Sequence, residues 1–204
     1  TMQVPRQWGW FNLGTHFPWI GMRTAALDSA HVEYFRGIRN PIGIKVGPGV
    51  TRDWLAGLLE KLNPTNDPGR IVLIHRMGAA HIEEKLPPLI QAAQETGSPV
   101  LWISDPMHGN TESTGDGIKT RRFRKVMNEM ELAFDIHRDN QSRLGGVHLE
   151  LTGENVTECT GGARDLSDED LKREYKSTVD PRLNYEQSLE MAMLIVKKHQ
   201  ATRE

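Results

Sequence analysis

The chain has 204 residues, enough for one domain with a buried core. Its 25 basic and 27 acidic residues give a net charge of −2, which argues against general nucleic-acid binding because that requires a basic surface. No apolar run approaches the roughly 20 residues of a membrane span, and the first residues lack the pattern of a secretory signal, so we expect no membrane association. The single cysteine, Cys159, excludes an internal disulfide framework and favours a reducing compartment.

Five short, nearly continuous apolar runs predict buried strands. They cover residues 16–24, 42–48, 70–78, 99–104 and 145–153. Runs of this kind are typical of parallel strands, because such strands are covered on both faces. Residues 1–15 match neither a strand nor a helix.

Helical patterns lie between these runs and after the last of them. They cover residues 51–62, 79–96, 119–138, 167–175 and 185–200, with a turn or short helix over residues 24–35. Gly97 is expected to end the second helix, in which Pro87 and Pro88 predict a kink or a restart. The inward face of the last helix is expected to hold Leu189, Met193 and Val196.

The alternation of strands and helices predicts βα units and a parallel α/β sheet. The chain has no glycine-rich dinucleotide-binding fingerprint, which favours repeats of the barrel type over a Rossmann sheet.

The turn after the fourth strand holds the first candidates for chemistry, namely Asp105, His108 and Asn110. In parallel α/β folds the ligands bind at the carboxyl ends of the strands. The alternative is a polar turn that caps the strand, with His108 as an ordinary turn histidine.

If the strands are parallel, their carboxyl ends meet on one face and bring two sets of side chains together. The basic set, which needs an anion such as a phosphate or a carboxylate among its charges, consists of Arg23, Lys45 and Arg76. The second set offers nitrogen and oxygen ligands for a divalent metal such as Mn²⁺, Co²⁺ or Zn²⁺, and consists of His108, Glu150 and Asp180.

Each of these residues also has a purely structural interpretation. Arg23 and Arg76 can be salt-bridge partners at the rim, and Asp180 precedes a proline as turn residues do. Lys45 is harder to explain in this way, because an unpaired ammonium in an apolar strand is costly. Glu150 lies between two leucines and points either into a polar centre or to solvent.

Several longer motifs resemble the class II (plant-type) 3-deoxy-D-arabino-heptulosonate 7-phosphate (DAHP) synthases. The resemblance runs from about residue 16 to about residue 197. The motifs that carry it are Trp19-Ile20-Gly21-x-Arg23-Thr24, Gly37-Ile38-Arg39-Asn40-Pro41-Ile42-Gly43-Ile44-Lys45, Arg76-Met77-Gly78-Ala79, Asp105-Pro106-Met107-His108-Gly109-Asn110-Thr111, Gly146-Val147-His148-Leu149-Glu150-x-Thr152-Gly153-x-Asn155-Val156-Thr157-Glu158-Cys159 and Asp180-Pro181-Arg182-Leu183-Asn184.

The resemblance implies a TIM (β/α)8 barrel that condenses phosphoenolpyruvate with erythrose 4-phosphate, the first step of the shikimate pathway. It implies a divalent metal cofactor, Mn²⁺, Co²⁺ or similar, with three of the ligands being His108, Glu150 and Asp180. It also implies that phosphoenolpyruvate contacts Arg23, Lys45 and Arg76. Lys45 and His108 are then the candidate catalytic residues.

The synthases that this chain resembles are roughly twice as long. Residues 1–204 are therefore expected to be a single domain, the carboxyl-terminal part of the barrel with about the last five βα units. The fourth metal ligand of the family is a cysteine of the earlier half, and Cys159 does not replace it because it belongs to another motif. The chain departs from the family pattern at Met22 (usually Glu), at Ala25-Ala26 (usually Arg-Gln) and at Val179 (often Cys).

Three explanations for the length are open. The chain can be one piece of a longer or split enzyme, a subunit that completes a barrel with a partner or as a homo-oligomer, or a shortened paralogue that binds or regulates a full-length synthase without catalysis. A metal-dependent hydrolase on a similar barrel is a further alternative, which the basic cluster disfavours. The expected location is the cytoplasm, or the plastid if the source is a plant.

Overall fold

A computed structural model describes residues 3–6 and 9–201. Its strands are β1 (Gln3–Arg6), β2 (Gly9–Asn12), β3 (Trp19–Ile20), β4 (Ile42–Val46), β5 (Ile71–His75), β6 (Val100–Ser104), β7 (Thr111–Ser113), β8 (Lys119–Arg121) and β9 (Leu144–Val147). Five of them form one parallel sheet in the order β3-β4-β5-β6-β9. The predicted parallel α/β arrangement is therefore confirmed.

Five α-helices accompany this sheet. They are α1 (Ala30–Arg36), α2 (Arg52–Leu62), α3 (Ile82–Glu95), α4 (Phe123–Asp139) and α5 (Tyr185–Ala201). Each helix contacts the next one along the chain, and α1 to α4 connect successive parallel strands. This order is compatible with a TIM-like fold, although β3 and β9 lie at the two edges of the described sheet. None of the described helices has the length and apolar content that a bilayer crossing needs.

The predicted helix boundaries that rest on capping residues agree well with the structure. Thr51 is the N-cap of α2, where its side chain accepts a hydrogen bond of 3.2 Å from the amide of Trp54. Gly97 follows α3 with a φ of +67°, a conformation that glycine adopts readily. The helix does not restart at Pro87 and Pro88, which lie inside α3.

The beginning of the chain differs from the prediction. Residues 9–12 were expected in neither a strand nor a helix, but they form β2 and pair with β1 as an antiparallel hairpin. The strand predicted over residues 16–24 is reduced to two residues. It is followed by a short 3-10 helix over Met22–Thr24, which closes when the amide of Thr24 donates to the carbonyl of Gly21.

The helix predicted over residues 119–138 begins later than expected. Its first residues form β8, which pairs with β7 as an antiparallel hairpin, and α4 starts at Phe123. Thr120 is buried in this hairpin, and its hydroxyl donates to the carbonyl of Glu158 at 2.8 Å. Tertiary contacts therefore override the helical pattern over these residues.

Two later predictions were also too long. The strand predicted over residues 145–153 ends at Val147, so Glu150 lies three residues beyond it instead of inside it. The helix predicted over residues 167–175 is a 3-10 helix of four residues, Glu169–Lys172.

The predicted inward face of the last helix is wrong. Leu189, Met193 and Val196 are all more than half exposed. The side of α5 that is buried holds Gln187, Met191 and Leu194, of which Met191 and Leu194 pack with residues of α4 in an apolar cluster. The apolar spacing correctly identified a stripe of apolar residues along the helix, but this stripe is exposed and another side of the helix is buried.

Candidate metal and anion site

The carboxylate of Asp105 joins two residues that the sequence predicted for the site. Asp105 directly follows β6 and is completely buried, and its Oδ2 lies 2.5 Å from Nζ of Lys45 on β4. The same oxygen lies 2.8 Å from Nδ1 of His108. Burial alone would raise the pKa of Asp105, but the His108 hydrogen bond and the Lys45 charge hold this pKa well below its usual range. Asp105 is therefore an anion that compensates the ammonium charge of Lys45.

His108 presents its other ring nitrogen to two further carboxylates. Nε2 lies 3.1 Å from Oε1 of Glu150 and 3.9 Å from Oδ2 of Asp180. One ligand atom from each of the three residues lies within 4.8 Å of the others. The hydrogen bonds with Asp105 and Glu150 raise the pKa of His108 to about 9. The surroundings of Nε2 thus favour a positive charge at this position.

This donor set fits a divalent cation. One imidazole nitrogen and two carboxylate oxygens are ligands that Mn²⁺, Co²⁺ and Zn²⁺ accept. The Asp105 carboxylate on Nδ1 provides the second interaction that commonly orients a metal-binding histidine. Cys159 is not a member of the group, and its burial raises the pKa of its thiol to about 12.

Two basic residues that the sequence analysis missed hold the outer oxygens of these carboxylates. Arg121 is completely buried, and its Nη1 lies 2.5 Å from Oε2 of Glu150. Nζ of Lys119 contacts Oδ1 of Asp180. Burial favours the neutral form of Glu150, but His108 and Arg121 lower the pKa of this carboxyl to about 2. The available signal was the alternation of residues 119–121, in which the two basic side chains lie on the same face of a strand.

Arg76 lies beside this group of ligands. Its Nη2 donates to the carbonyl oxygen of His108, and its Nη1 lies 3.4 Å from Sδ of Met22. The backbone after Arg76 is held by Glu129, a buried residue of α4 that the sequence analysis also missed. Arg76, which follows the central strand β5, therefore adds a second basic side chain to the site beside Lys45 on β4.

Arg23 is the one predicted residue that lies apart. It is exposed on the 3-10 helix Met22–Thr24 and forms no hydrogen bond or ion pair with the other five in the described part of the chain. It lines an open cavity of about 460 Å³ next to Val50 and Trp54. The structure thus brings five of the six predicted residues into one connected set, and Arg23 reaches it only through its neighbour Met22.

Comparisons with known proteins agree with this picture. The model of the Class-II DAHP synthetase family matches residues 1–196. The chain is 46% identical over 187 residues to the phospho-2-dehydro-3-deoxyheptonate aldolase AroG of Mycolicibacterium smegmatis, covering 92% of this chain and 40% of that protein. It is 46% identical over 202 residues to the phospho-2-dehydro-3-deoxyheptonate aldolase of Neurospora crassa, covering 98% of this chain and 42% of that protein.

A third relative has the same name and comes from Streptomyces coelicolor. It is 45% identical over 189 residues, covering 93% of this chain and 42% of that protein. The chain thus spans about two fifths of the length of the curated relatives it matches. From the family match and these identities, the chain belongs to the Class-II DAHP synthetase family.

Proposed function

We propose that this chain carries the metal- and phosphoenolpyruvate-binding part of a DAHP synthase, a transferase. The reaction condenses phosphoenolpyruvate with erythrose 4-phosphate to give DAHP and inorganic phosphate, the first step of the shikimate pathway toward aromatic amino acids. The observation that carries the proposal is the continuous contact from Lys45 through Asp105 to His108 and its two carboxylates, with Arg76 on the carbonyl of His108.

In this proposal His108, Glu150 and Asp180 hold a divalent metal such as Mn²⁺ or Co²⁺. A metal bound here supplies Lewis-acid polarisation of the aldehyde of erythrose 4-phosphate. Asp105 accepts a hydrogen bond from Nδ1–H of His108, and so keeps the lone pair of Nε2 directed at the ligand position. Arg121 fixes Glu150 in the same way by holding the oxygen that faces away from His108.

The basic residues hold phosphoenolpyruvate. Arg76 and Lys45 neutralise its phosphate and carboxylate, and Arg23, which lies apart on its exposed turn, is proposed to contact the same anion once the substrate is bound. C3 of phosphoenolpyruvate forms a bond to the aldehyde carbon, whose C=O double bond becomes a hydroxyl group by taking up a proton. Water adds to C2 and loses its two protons in net terms, one to that hydroxyl and one to the phosphate, and the bond between C2 and the phosphate oxygen breaks to leave a ketone. Lys45, with Asp105 as its partner, is the residue that exchanges a proton in this last stage.

The remaining part of the site is proposed to come from further polypeptide. We expect residues 1–204 to form one domain that contributes about five βα units to a closed barrel, completed by an amino-terminal half or in an oligomer. The exposure of apolar side chains on the sheet supports this, since Trp19 on β3 is 51% exposed and Leu101 on β6 is 46% exposed. The added half would also bring the fourth ligand, a cysteine, that the resemblance implies.

A reconstitution assay tests this function. The chain is expressed together with the part of the M. smegmatis relative that precedes the matched region, and phosphate release is measured with phosphoenolpyruvate and erythrose 4-phosphate. We expect product that EDTA abolishes and Mn²⁺ restores, and no product when the chain carries His108→Gln. The matched control is His31→Gln, which changes an exposed histidine of α1. A stable complex that forms no product would favour the non-catalytic partner instead.

A further inference from the structure

Glu129 carries a buried carboxylate without a cationic partner. It lies on α4 and is completely buried, and it forms no salt bridge in the described part of the chain. Oε1 accepts hydrogen bonds from the amides of Met77 at 2.9 Å and Gly78 at 3.0 Å, and Oε2 accepts one from Nδ2 of Asn110 at 2.6 Å. All three donors are neutral. Burying a carboxylate without a cation costs free energy, which these three hydrogen bonds offset in part.

The donors belong to the two segments that carry the site. Met77 and Gly78 directly follow Arg76 after β5, whereas Asn110 lies two residues after His108 behind β6. Asn110 adds a further cross-link, because its Oδ1 accepts a hydrogen bond of 3.0 Å from the amide of Ala79. Its Nδ2 also donates to the carbonyl of Pro106 at 2.8 Å. Two side chains therefore link the two segments: Glu129 contacts both of them, and Asn110 of the second segment contacts the backbone of the first.

The two segments also touch through their backbones. Gly78 has a φ of +83°, and a Cβ atom added there would lie 2.8 Å from the carbonyl oxygen of Gly109. A Cβ atom added at Gly109 would lie 2.3 Å from the amide nitrogen of Gly78. A larger residue would clash at either position. The two backbones are therefore as close as they can be, and Glu129 keeps them from moving apart. The two glycines directly follow the residues of the site, Gly78 two residues after Arg76 and Gly109 one residue after His108, and the Arg76 guanidinium donates to the carbonyl of His108.

We propose that Glu129, together with Asn110, is a positioning residue that fixes the distance between Arg76 and His108. Given the proposed function, on which this inference rests, that distance is the one between the bound substrate anion and the metal. Glu129 suits the task because both of its side-chain oxygens accept hydrogen bonds here, Oε1 from two backbone amides and Oε2 from one side-chain amide, so the three donors determine a single arrangement. A polar residue without this property would allow the segments to shift.

Two substitutions test the match between donors and acceptors. Glu129→Gln places an amide donor opposite the Asn110 amide donor, and Asn110→Asp places a carboxylate opposite the Glu129 carboxylate. The double variant restores one donor facing one acceptor between residues 110 and 129, which is the contact that the exchange of the Met77 and Gly78 amides reports, although the hydrogen bond to the carbonyl of Pro106 stays absent. The matched control is Glu131→Gln, which removes an exposed carboxylate from the same helix.

The first readout is hydrogen–deuterium exchange of the Met77 and Gly78 amides in the 204-residue chain, which requires neither metal nor substrate. We expect exchange at least tenfold faster in each single variant, and rates within about threefold of wild type in the double variant and in the control. Unchanged exchange in Glu129→Gln would overturn the proposal.

The second readout is the factor by which saturating Co²⁺ tightens phosphoenolpyruvate binding, measured by calorimetry. We expect this factor to fall about tenfold in each single variant and to recover in the double variant. Lower thermal stability with an unchanged factor would mean that Glu129 only supports the fold, and would overturn the proposal. If wild type itself shows no coupling, the proposed function fails, and the exchange rates alone then decide whether Glu129 holds the two segments.

Discussion

Asp105 is the residue on which the largest number of site contacts depend, so its replacement by asparagine is the most informative substitution. The carboxylate lies 2.5 Å from Nζ of Lys45 and 2.8 Å from Nδ1 of His108, and it also accepts hydrogen bonds from the amides of Met107 and His108. Asparagine is nearly the same size and keeps one acceptor oxygen. It loses the negative charge, however, and places an amide donor opposite either the ammonium or the imidazole.

The expected cost follows from burial. Lys45 is only 7% exposed, so removal of its counter-ion leaves an uncompensated charge inside the sheet. Breaking a buried ion pair in this way costs about 3–5 kcal/mol of unfolding free energy. His108 also loses the carboxylate that orients its ring, and loss of such a partner lowers metal affinity by about 10–100-fold.

Denaturant unfolding and Co²⁺ titration measure the two effects. The control is Asp28→Asn, an exposed position where we expect a change within about 0.5 kcal/mol and unaltered Co²⁺ affinity. Lys45→Met combined with Asp105→Asn should cost less than the sum of the single changes, because both charges of the pair are then absent. If Asp105→Asn behaved like the control in both assays, the assigned role of Asp105 would be refuted.

Three further predictions concern other parts of the chain. Arg121→Met should lower Co²⁺ affinity by about 10–100-fold in a spectroscopic titration, because Glu150 loses the cation that orients it; equal affinity would contradict this. His137 and His75 are buried, and burial lowers their pKa values to about 4 and about 3, so the unfolded state binds more protons below pH 6.5. The contribution of these histidines to the free energy of unfolding should be fully present above pH 6.5 and fall as the pH approaches 4, by roughly 3 kcal/mol for His137. His137→Phe should therefore lose less stability on acidification. An acid-unfolding curve identical to that of wild type would show that His137 does not contribute. Met193 on α5 is 70% exposed, so Met193→Lys should change the free energy of unfolding by no more than about 0.5 kcal/mol. The same substitution should weaken association with the added half in a co-purification assay. Unchanged association would mean that Met193 does not contact the added half.

The sheet could be predicted from sequence because its strands are nearly continuously apolar, and two of them, β4 and β5, are buried along their whole length. β4, β5 and β6 appear as continuous apolar runs, and their predicted ranges contain the observed strands with at most three extra residues at either end. The cap Thr51 and the terminator Gly97 have local physical causes, so their positions were equally accessible. By contrast, β8 consists of Lys, Thr and Arg and exists because β7 pairs with it, a contact that no local pattern reveals.

The candidate site divides in the same way. His108 could be singled out because it follows an apolar strand, and Glu150 because it is a carboxylate between two leucines, whereas Asp180 resembled a turn residue and was joined to them mainly by the family resemblance; the structure brings the three together. Arg121 and Glu129 were missed because both lie in a segment with helical spacing, where each resembles an ordinary surface charge and only the fold buries them; the alternation of residues 119–121 is a weak signal that the helical pattern outweighed. The exposed stripe of α5 was assigned inward for a related reason: periodicity shows that a face is apolar but not what covers it.

The central claim is that His108, Glu150 and Asp180 of this chain hold a divalent metal. Titration of the 204-residue chain with Co²⁺, followed by visible absorption, tests it most directly. We predict one bound ion per chain with ligand-field bands that disappear in His108→Gln and persist in His31→Gln. Co²⁺ binding of equal stoichiometry, affinity and spectrum in His108→Gln would contradict the claim.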